Sequence, residues 1–325
     1  MGVGSAAAAG WKDSCWINGS SASEGALWLL CQEDSLFVST DRGVNWQTKP
    51  LPSGIRFRAV EFLNARNGFL AGDRGILLET ENGGSSWRKV ESSTDKNLLS
   101  IHFVGDKGWI AGYDGVILHS GDGGKTWISQ NSNTTQPLES IYFADADHGW
   151  AVGWVGTMVR TSDGGKNWKP VDVPDASWTL SSVYFRDKDN GWAVGFQGSI
   201  LRTQDGGLTW IAQKSPVTSW LTSVRFDRQG RGWIAADSDL LLSEDGGETW
   251  RGIPVEDRIF VSRIQPAGDT LWAVGRLGLL EQPNPQVASL RSKQVPGVGY
   301  WPAPEESTEA MHAPPTGGNT SRGRP

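Results

Sequence analysis

Six acidic or amide side chains recur at one position of a repeated turn, and they are the first candidates for chemistry. They are Asp41, Asn82, Asp122, Asp163, Asp205 and Asp245. A tryptophan follows each of them five residues later. Carboxylates could act as an acid and base pair in glycoside cleavage, which needs two of them about 5–10 Å apart. They could also bind a hard cation such as calcium.

The residues around these side chains favour a structural role instead. A full copy of the turn reads Asp205-Gly206-Gly207-Leu208-Thr209-Trp210. An Asp side chain can accept hydrogen bonds from backbone N–H groups just ahead of it and so fold the chain back. The glycines can adopt positive φ without steric cost, and Asp-Gly between two apolar runs is a strong hairpin signal. We therefore predict that the six residues build the scaffold.

Two other segments resemble the start of a calcium-binding loop. They are Asp145-Ala146-Asp147-His148-Gly149 and Asp187-Lys188-Asp189-Asn190-Gly191. The further ligands of such a loop, including its closing Glu, do not follow in the sequence. The four histidines, His102, His119, His148 and His312, share no metal-ligand spacing. The sequence therefore predicts no metal, no cofactor and no catalytic residue.

The turns belong to a longer repeat. Their tryptophans lie 41, 40, 41, 42 and 40 residues apart, and a fixed period of this length indicates a repeat architecture. Each repeat holds four short strand-like segments bounded by Gly and Asp. The second segment, Trp-Ala-Val-Gly or a variant, begins at Trp28, Phe69, Trp109, Trp150, Trp192, Trp233 and Trp272. We therefore predict an all-β, seven-bladed β-propeller with four antiparallel strands in each blade.

The domain boundaries follow from the repeat and from composition. Residues 1–10 are predicted to be a flexible N-terminus, residues 11–282 the propeller, and residues 283–325 a Pro-rich disordered tail, which holds eight of the sixteen prolines. The last repeat has no fourth strand of its own before the prolines begin. The segment from Trp11 to Ile17 is the upstream candidate to supply that strand, since an unpaired edge would otherwise remain.

Charge and composition exclude several classes of protein. The net charge of −6 predicts no broad basic face for nucleic acid. No apolar run reaches the ~18 residues that a membrane helix needs, so we predict a monomer without a transmembrane segment. The two cysteines, Cys15 and Cys31, could pair in an oxidising compartment, but they do not establish one.

The segment from Gly191 to Trp210 reads G-W-A-V-G-F-Q-G-S-I-L-R-T-Q-D-G-G-L-T-W. This pattern resembles the Ycf48 and HCF136 family of photosystem II assembly and stability factors. The resemblance implies a non-catalytic propeller that binds a protein partner, such as a newly made subunit of photosystem II or of another membrane complex. It also implies a thylakoid-associated, lumenal or periplasmic location.

The turn alone resembles the Asp-box, or BNR, repeat, which sialidases, sortilins and xyloglucan hydrolases share. A sialidase would carry a Phe/Tyr-Arg-Ile-Pro motif near its start, and Phe57-Arg58-Ala59-Val60 lacks the Ile-Pro. The xyloglucan hydrolases hold their substrate between two propellers, and this chain has the repeats for one. We expect no enzymatic activity. A glycan-binding or glycosidase-like propeller remains the alternative.

Aromatic residues outside the repeat pattern give the best prediction of a functional site. In an up-and-down blade, the turns between the second and third strands share a face with the links to the next blade. The predicted partner-binding residues on this face are Tyr113, Trp154, Trp178, Phe196, Trp220 and Arg276. Exposed aromatic clusters mark binding surfaces. The alternative is that each ring covers its own blade, and paired carboxylates beside the rings would favour a glycan.

Overall fold

The structure is a computed structural model that describes residues 16–31, 35–174, 178–237, 239–254, 260–267, 270–275 and 278–281. These residues form antiparallel sheets, each made of strands that follow one another along the chain. Alternating apolar residues bounded by glycine and aspartate produce these short strands.

The first three sheets are formed by strands β1 to β12. Their bounds are β1 Ile17–Ser23, β2 Ala26–Cys31, β3 Ser35–Ser39 and β4 Gln47–Lys49; β5 Phe57–Phe62, β6 Gly68–Gly72, β7 Leu77–Thr80 and β8 Arg88–Val90; and β9 Leu98–Val104, β10 Lys107–Gly112, β11 Ile117–Ser120 and β12 Ile128–Gln130.

The remaining sheets are formed by strands β13 to β27. Their bounds are β13 Leu138–Phe143, β14 Gly149–Gly153, β15 Met158–Thr161 and β16 Lys169–Pro170; β17 Leu180–Phe185, β18 Gly191–Gly195, β19 Ile200–Thr203 and β20 Ile211–Gln213; β21 Leu221–Phe226, β22 Gly232–Ala236, β23 Asp239–Ser243 and β24 Arg251–Pro254; and β25 Val261–Ala267, β26 Thr270–Gly275 and β27 Gly278–Glu281.

The sheets are arranged around an axis as in a propeller. The first strand of each sheet contacts the first strand of the next sheet, and β25 contacts β1. We call these first strands the inner strands. They close a ring, while the short fourth strands lie at the periphery. The prediction of an all-β propeller is confirmed.

The prediction of seven four-stranded blades is wrong. Six sheets have four strands, and the last sheet has only the three strands β25, β26 and β27 within the described part of the chain. The last repeat lacks the Asp-Gly turn that leads into a fourth strand elsewhere. Pro283 and Pro285 follow β27 closely, and proline has no N–H to donate to a ladder.

The expected closing strand from Trp11 to Ile17 needs a correction as well. Ile17 is the first residue of β1, the inner strand of the first sheet, so it does not complete the last sheet. Residues 11–15 lie outside the described residues, as do residues 1–10 and the predicted tail. Among the described residues, the ring closes through contacts between the inner strands β1 and β25. Arg263 donates from Nη2 to the carbonyl oxygen of Asn18 at 2.7 Å.

The core between sheets repeats one aromatic arrangement. The aromatic residue of a second strand stacks on a phenylalanine of the next inner strand, as Trp150 does on Phe185 with ring centroids 3.4 Å apart. Trp210, from the turn of that next sheet, then meets Phe185 edge-on at 5.8 Å. Trp150 also donates from Nε1 to the carbonyl oxygen of Gly206 in that turn, at 3.0 Å. Each turn thus fastens its own sheet to the preceding one.

The turn carboxylates accept hydrogen bonds from residues of their own turns. Asp205 accepts the N–H of Thr209 at 2.9 Å and the Thr209 hydroxyl at 2.6 Å, and it also accepts the Thr203 hydroxyl at 2.8 Å. The same pattern holds around Asp41, Asp122, Asp163 and Asp245, while Asn82 accepts backbone and hydroxyl donors and donates from its amide to Ser86. Hydrogen bonds led by the one from Thr126 lower the pKa of Asp122 to about 2. These side chains hold the hairpin.

Within the described residues, no helix is long and apolar enough to cross a membrane. Cys31 is disulfide-bonded. The other cysteine of the sequence, Cys15, lies outside the described residues.

Candidate binding surface

The turns between second and third strands form short 3-10 turns on one face of the ring. Two of them are Trp154–Gly156 and Phe196–Gly198. The N–H of Trp154 donates to the carbonyl oxygen of Pro137 at 3.0 Å, directly before inner strand β13. The N–H of Gly156 donates to the carbonyl oxygen of Trp178 at 2.8 Å, in the link to the next sheet. These turns therefore share a face with the links.

The predicted aromatic residues on this face fall into two groups. Tyr113 and Trp154, from neighbouring sheets, meet edge-on with centroids 5.8 Å apart. Trp178, Phe196 and Trp220 form a second group, with centroids 5.4 Å and 6.1 Å apart. No ring contact between described residues joins the two groups. We call the second group the aromatic patch.

The two groups differ in exposure. Trp178, Phe196 and Trp220 are 41%, 39% and 38% exposed, which is high for such large apolar side chains. Tyr113 and Trp154 are partly buried. Both therefore serve more as packing between sheets than as free surface.

The indole N–H groups are satisfied by neighbouring side chains. Trp154 donates from Nε1 to Oε1 of Glu139 at 2.6 Å, and Trp220 donates from Nε1 to the hydroxyl oxygen of Ser181 at 2.6 Å. The bond to Ser181 ties the link before β21 to the preceding sheet. These bonds orient the rings of Trp154 and Trp220, which reduces the entropy that these two side chains lose when a partner binds.

A cavity of about 180 Å³ opens beside the aromatic patch. Trp178, Val173, Pro174 and Leu201 are among the residues that line it. Its walls mix apolar residues with Ser199 and Gln213, and its volume is that of a single side chain. The patch therefore combines exposed rings with one recess, as protein-binding surfaces often do.

Charged groups on this face lie mainly beside the first group. Arg58 forms an ion pair with Asp73. Burial raises the pKa of the Tyr113 hydroxyl, and the nearby carboxylate of Glu139 raises it further. The aromatic patch has no ion pair among its own described residues. Arg276, the remaining predicted residue, lies outside the described residues.

The two calcium-like segments form local turns. Asp145 accepts the N–H groups of Asp147 and His148, both at 2.8 Å, and Asp187 does the same for Asp189 and Asn190 at 2.9 and 2.8 Å. Among the described residues, no three His, Cys, Asp or Glu side chains come together as a metal site would require.

The sequence reasoning missed a polar layer at the axis of the ring. It consists of one residue from each inner strand, Ser20, Glu61, His102, Tyr142, Tyr184, Arg225 and Gln265. We call it the axial layer. A signal was available, since a polar or tyrosine residue stands directly before a phenylalanine in five of the seven first strands.

The fold and this face can now be compared with known proteins. The family model described as photosynthesis system II assembly factor YCF48 matches residues 38–137 and 166–262, more than half of the chain. The chain belongs to this family. Its β-propeller with BNR-type repeats is the architecture that the turn motif predicted.

Two characterised relatives match over shorter segments. Over 89 residues, 26% of this chain, it is 33% identical to the chloroplastic photosystem II stability/assembly factor HCF136 of Arabidopsis thaliana, covering 22% of that protein. Over 66 residues, 19% of this chain, it is 35% identical to the photosystem II assembly lipoprotein Ycf48 of Synechococcus sp. strain RCC307, covering 20% of that protein. The matched segments thus span about a fifth of each relative.

Solved structures share the fold at low sequence identity. The structure of YCF48 bound to a D1 peptide matches with a TM-score of 0.67 and 21% identity, over 82% of this chain and 93% of that one. The GH74 enzyme from Niastella koreensis matches with a TM-score of 0.69 and 13% identity, over 86% of this chain and 54% of that one. Likeness to both an assembly factor and a glycoside hydrolase demonstrates the propeller fold and no particular activity.

Proposed function

We propose that this protein is a non-catalytic scaffold that binds a segment of a newly made membrane-complex subunit, with photosystem II subunits as the first candidates. The observation that carries the proposal is the aromatic patch of Trp178, Phe196 and Trp220, whose rings contact one another and are exposed on one face. Membership of the assembly-factor family supports it. The D1 peptide bound by a structural neighbour suggests the kind of ligand.

The chemistry of the patch suggests what such a segment looks like. Exposed aromatic rings with an adjoining recess favour an extended peptide that carries apolar side chains. The three side chains of the patch carry no charge, so binding through them should depend only weakly on salt. Extramembrane segments of newly made membrane subunits can expose apolar side chains before their final partners cover them.

The absence of catalysis is part of the proposal. The turn carboxylates, which occur in five of the six four-stranded blades, form hydrogen bonds within their own turns, and Glu139 accepts from the indole of Trp154. The second reading, a glycan-binding or glycosidase-like propeller, is supported only by likeness of fold to glycoside hydrolases.

We also propose an oxidising location, thylakoid-associated and lumenal or periplasmic. The disulfide at Cys31 supports this location, since such bonds persist in oxidising compartments. The names of the two relatives, one chloroplastic and one a lipoprotein, agree with a membrane-associated setting.

Peptide binding by surface variants tests the proposal. The affinity for a labelled D1 peptide would be measured by fluorescence anisotropy, first for the parent and then for the triple variant Trp178→Ala, Phe196→Ala, Trp220→Ala. Buried interface tryptophans often contribute about 2 kcal/mol each, which is roughly a thirtyfold change in affinity. We expect the triple variant to lose at least that factor.

A matched control carries Ile128→Ala, Leu208→Ala and Ile211→Ala, which remove apolar side chains 62%, 59% and 69% exposed outside the patch. This control should bind as the parent does. Unchanged affinity in a folded patch variant would exclude the patch as the binding site. Binding of oligosaccharides through the patch, with no peptide binding by the parent, would favour the glycan reading.

A further inference from the structure

The side chains of the axial layer face a common space inside the ring. His102 stacks on Tyr142 with centroids 4.7 Å apart, and Tyr142 lies 5.2 Å from Tyr184. The guanidinium of Arg225 lies over the Tyr184 ring, 5.7 Å from its centroid. Four consecutive inner strands thus contribute one continuous stack that ends in a positive charge.

The axial layer contains hydrogen-bond donors that have no acceptor. Within the described part of the chain, the hydroxyls of Tyr142 and Tyr184 form no hydrogen bond, although the Tyr184 ring also stacks on Phe226 with centroids 5.7 Å apart. Arg225 donates from Nη1 to the carbonyl oxygen of Val224 at 2.7 Å and to the Ser182 hydroxyl at 3.5 Å. A guanidinium has five N–H donors, so most of its capacity is unused.

The positive charge of this layer is not compensated nearby. No described carboxylate forms an ion pair with Arg225. Burial raises the pKa of Glu61, which faces Arg225, to about 8, so that carboxyl is mostly protonated and neutral at pH 7. Burial and the charge of Arg225 lower the pKa of Arg263 only to about 10, so Arg263 stays charged. Glu139 is the carboxylate whose charge acts on Arg263, whereas Arg225 has only the neutral Glu61 carboxyl and the two tyrosines as its charge partners.

An anion with several oxygen atoms would satisfy these groups together. Its charge would offset that of Arg225, and its oxygens would accept from the guanidinium and from both phenol hydroxyls. Hydrogen bonds to ionised groups are stronger than neutral ones. His102 adds no positive charge to such a site, because burial lowers its pKa to about 4. Its Nε2–H already donates to the carbonyl oxygen of Phe143 at 3.0 Å.

We propose that the axial layer binds a small oxyanion, of the class that includes carboxylates, sulfate and inorganic phosphate, with Arg225 providing the charge and Tyr142 and Tyr184 providing hydroxyl donors. This site is separate from the aromatic patch and does not depend on the proposed function.

Calorimetric titration of the full chain with phosphate, sulfate and acetate, each at constant ionic strength in chloride, tests the proposal. Binding of phosphate and sulfate alone would assign inorganic oxyanions, and binding of acetate would assign carboxylates. The variant Arg225→Gln should lose at least tenfold in affinity. The double variant Tyr142→Phe, Tyr184→Phe keeps both rings, and its affinity for the oxyanion should also fall about tenfold. A hydrogen bond to a charged group contributes about a factor of ten or more in affinity.

Arg160→Gln is the matched control, because Arg160 donates to the carbonyl oxygen of Gly206 in a turn, away from the axis. It should bind as the parent does. If Arg225→Gln does not fold, the double phenylalanine variant decides the result. The proposal is overturned if no oxyanion binds more tightly than chloride, or if both axial variants keep the affinity of the parent.

Discussion

Five of the six turns have two adjacent glycines, and the two positions differ in what they can tolerate. Gly206 and Gly207 both have positive φ, +71° and +74°. A Cβ on Gly206 would lie 3.1 Å from the carbonyl oxygen of Lys188, whereas a Cβ on Gly207 would lie 2.5 Å from Nε1 of Trp150. A side chain at position 207 would therefore strain the backbone and also clash with the Trp150 ring, which packs between the two sheets.

We expect Gly206→Val to lower the free energy of unfolding by about 1–3 kcal/mol, and Gly207→Val to lower it more. Chemical denaturation of the two variants measures the difference. Equal losses would mean that packing against Trp150 contributes nothing, and an unchanged Gly206→Val variant would contradict our account of the turn.

Val155 is held in an unfavourable backbone conformation. Its φ of +53° and ψ of 43° lie in the left-handed region, where a β-branched residue is an outlier, and its side chain is 53% exposed. Val155→Gly should therefore stabilise the protein by about 1 kcal/mol. A thermal melt checks this, with the exposed Val44→Gly as the control. A lower melting temperature for Val155→Gly would show that the side chain makes a stabilising contact.

Glu61 should make stability depend on pH. Its pKa is raised from about 4.5 to about 8 in the folded state, so folding favours the protonated form. This contribution is fully present below the unfolded pKa and is lost as pH rises through about 8. Glu61→Gln removes this titration. As pH rises from 5 to 9, the free energy of unfolding of the variant should therefore increase relative to that of the parent by on the order of 1 kcal/mol or more. A constant difference in melting temperature over that range would contradict the assignment.

At the scale of strands, local pattern was a reliable guide. The predicted first strand Leu180–Phe185 and the Trp-Ala-Val-Gly segment from Trp192 coincide with β17 and β18. Both signals are local, because alternation and flanking glycines determine a strand without reference to the rest of the fold.

The number of complete blades could not be predicted in the same way. The second-strand motif counts repeats, but a fourth strand depends on whether the chain can turn back after the third. The last repeat has the motif at Trp272 and lacks the turn, so counting motifs overestimated the number of four-stranded blades. Of the N-terminal candidate, Ile17 belongs to the first sheet, where it pairs with Cys31, and residues 11–15 lie outside the described residues.

The candidate sites show the same contrast. The face of Trp178, Phe196 and Trp220 followed from topology, whereas their separation from Tyr113 and Trp154 depends on distances between sheets. The axial layer depends on seeing that one position of each repeat meets its counterparts around a ring. That relation is long-range, and a single repeat read alone does not contain it.

At the scale of the whole molecule, the seam between the last and first sheets depends on non-covalent contacts. Besides the bond from Arg263 to Asn18, the hydroxyl of Ser20 donates to Oε1 of Gln265 at 2.9 Å. Arg263→Ala removes the first bond and leaves a carbonyl oxygen unpaired, so it should destabilise the ring by about 1–2 kcal/mol.

The control is Arg160→Ala, which removes a bond of 3.3 Å between two sheets that the chain already connects. Denaturant unfolding compares the two variants. If Arg160→Ala lowers the free energy of unfolding more than Arg263→Ala does, the bond from Arg263 to Asn18 has no special importance for the stability of the ring.

The central claim is that the protein binds a subunit segment through the aromatic patch, and site-specific photo-crosslinking tests it most directly. A benzophenone amino acid would replace Gln197, which is exposed between Phe196 and Gly198, or Leu208, which is exposed on the opposite face of the same sheet. Each protein would be irradiated with newly synthesised photosystem II subunits. We predict crosslinks to a reaction-centre subunit from position 197 and none from position 208. Crosslinks from position 208 alone would contradict the claim and place the binding site on the face of the turns.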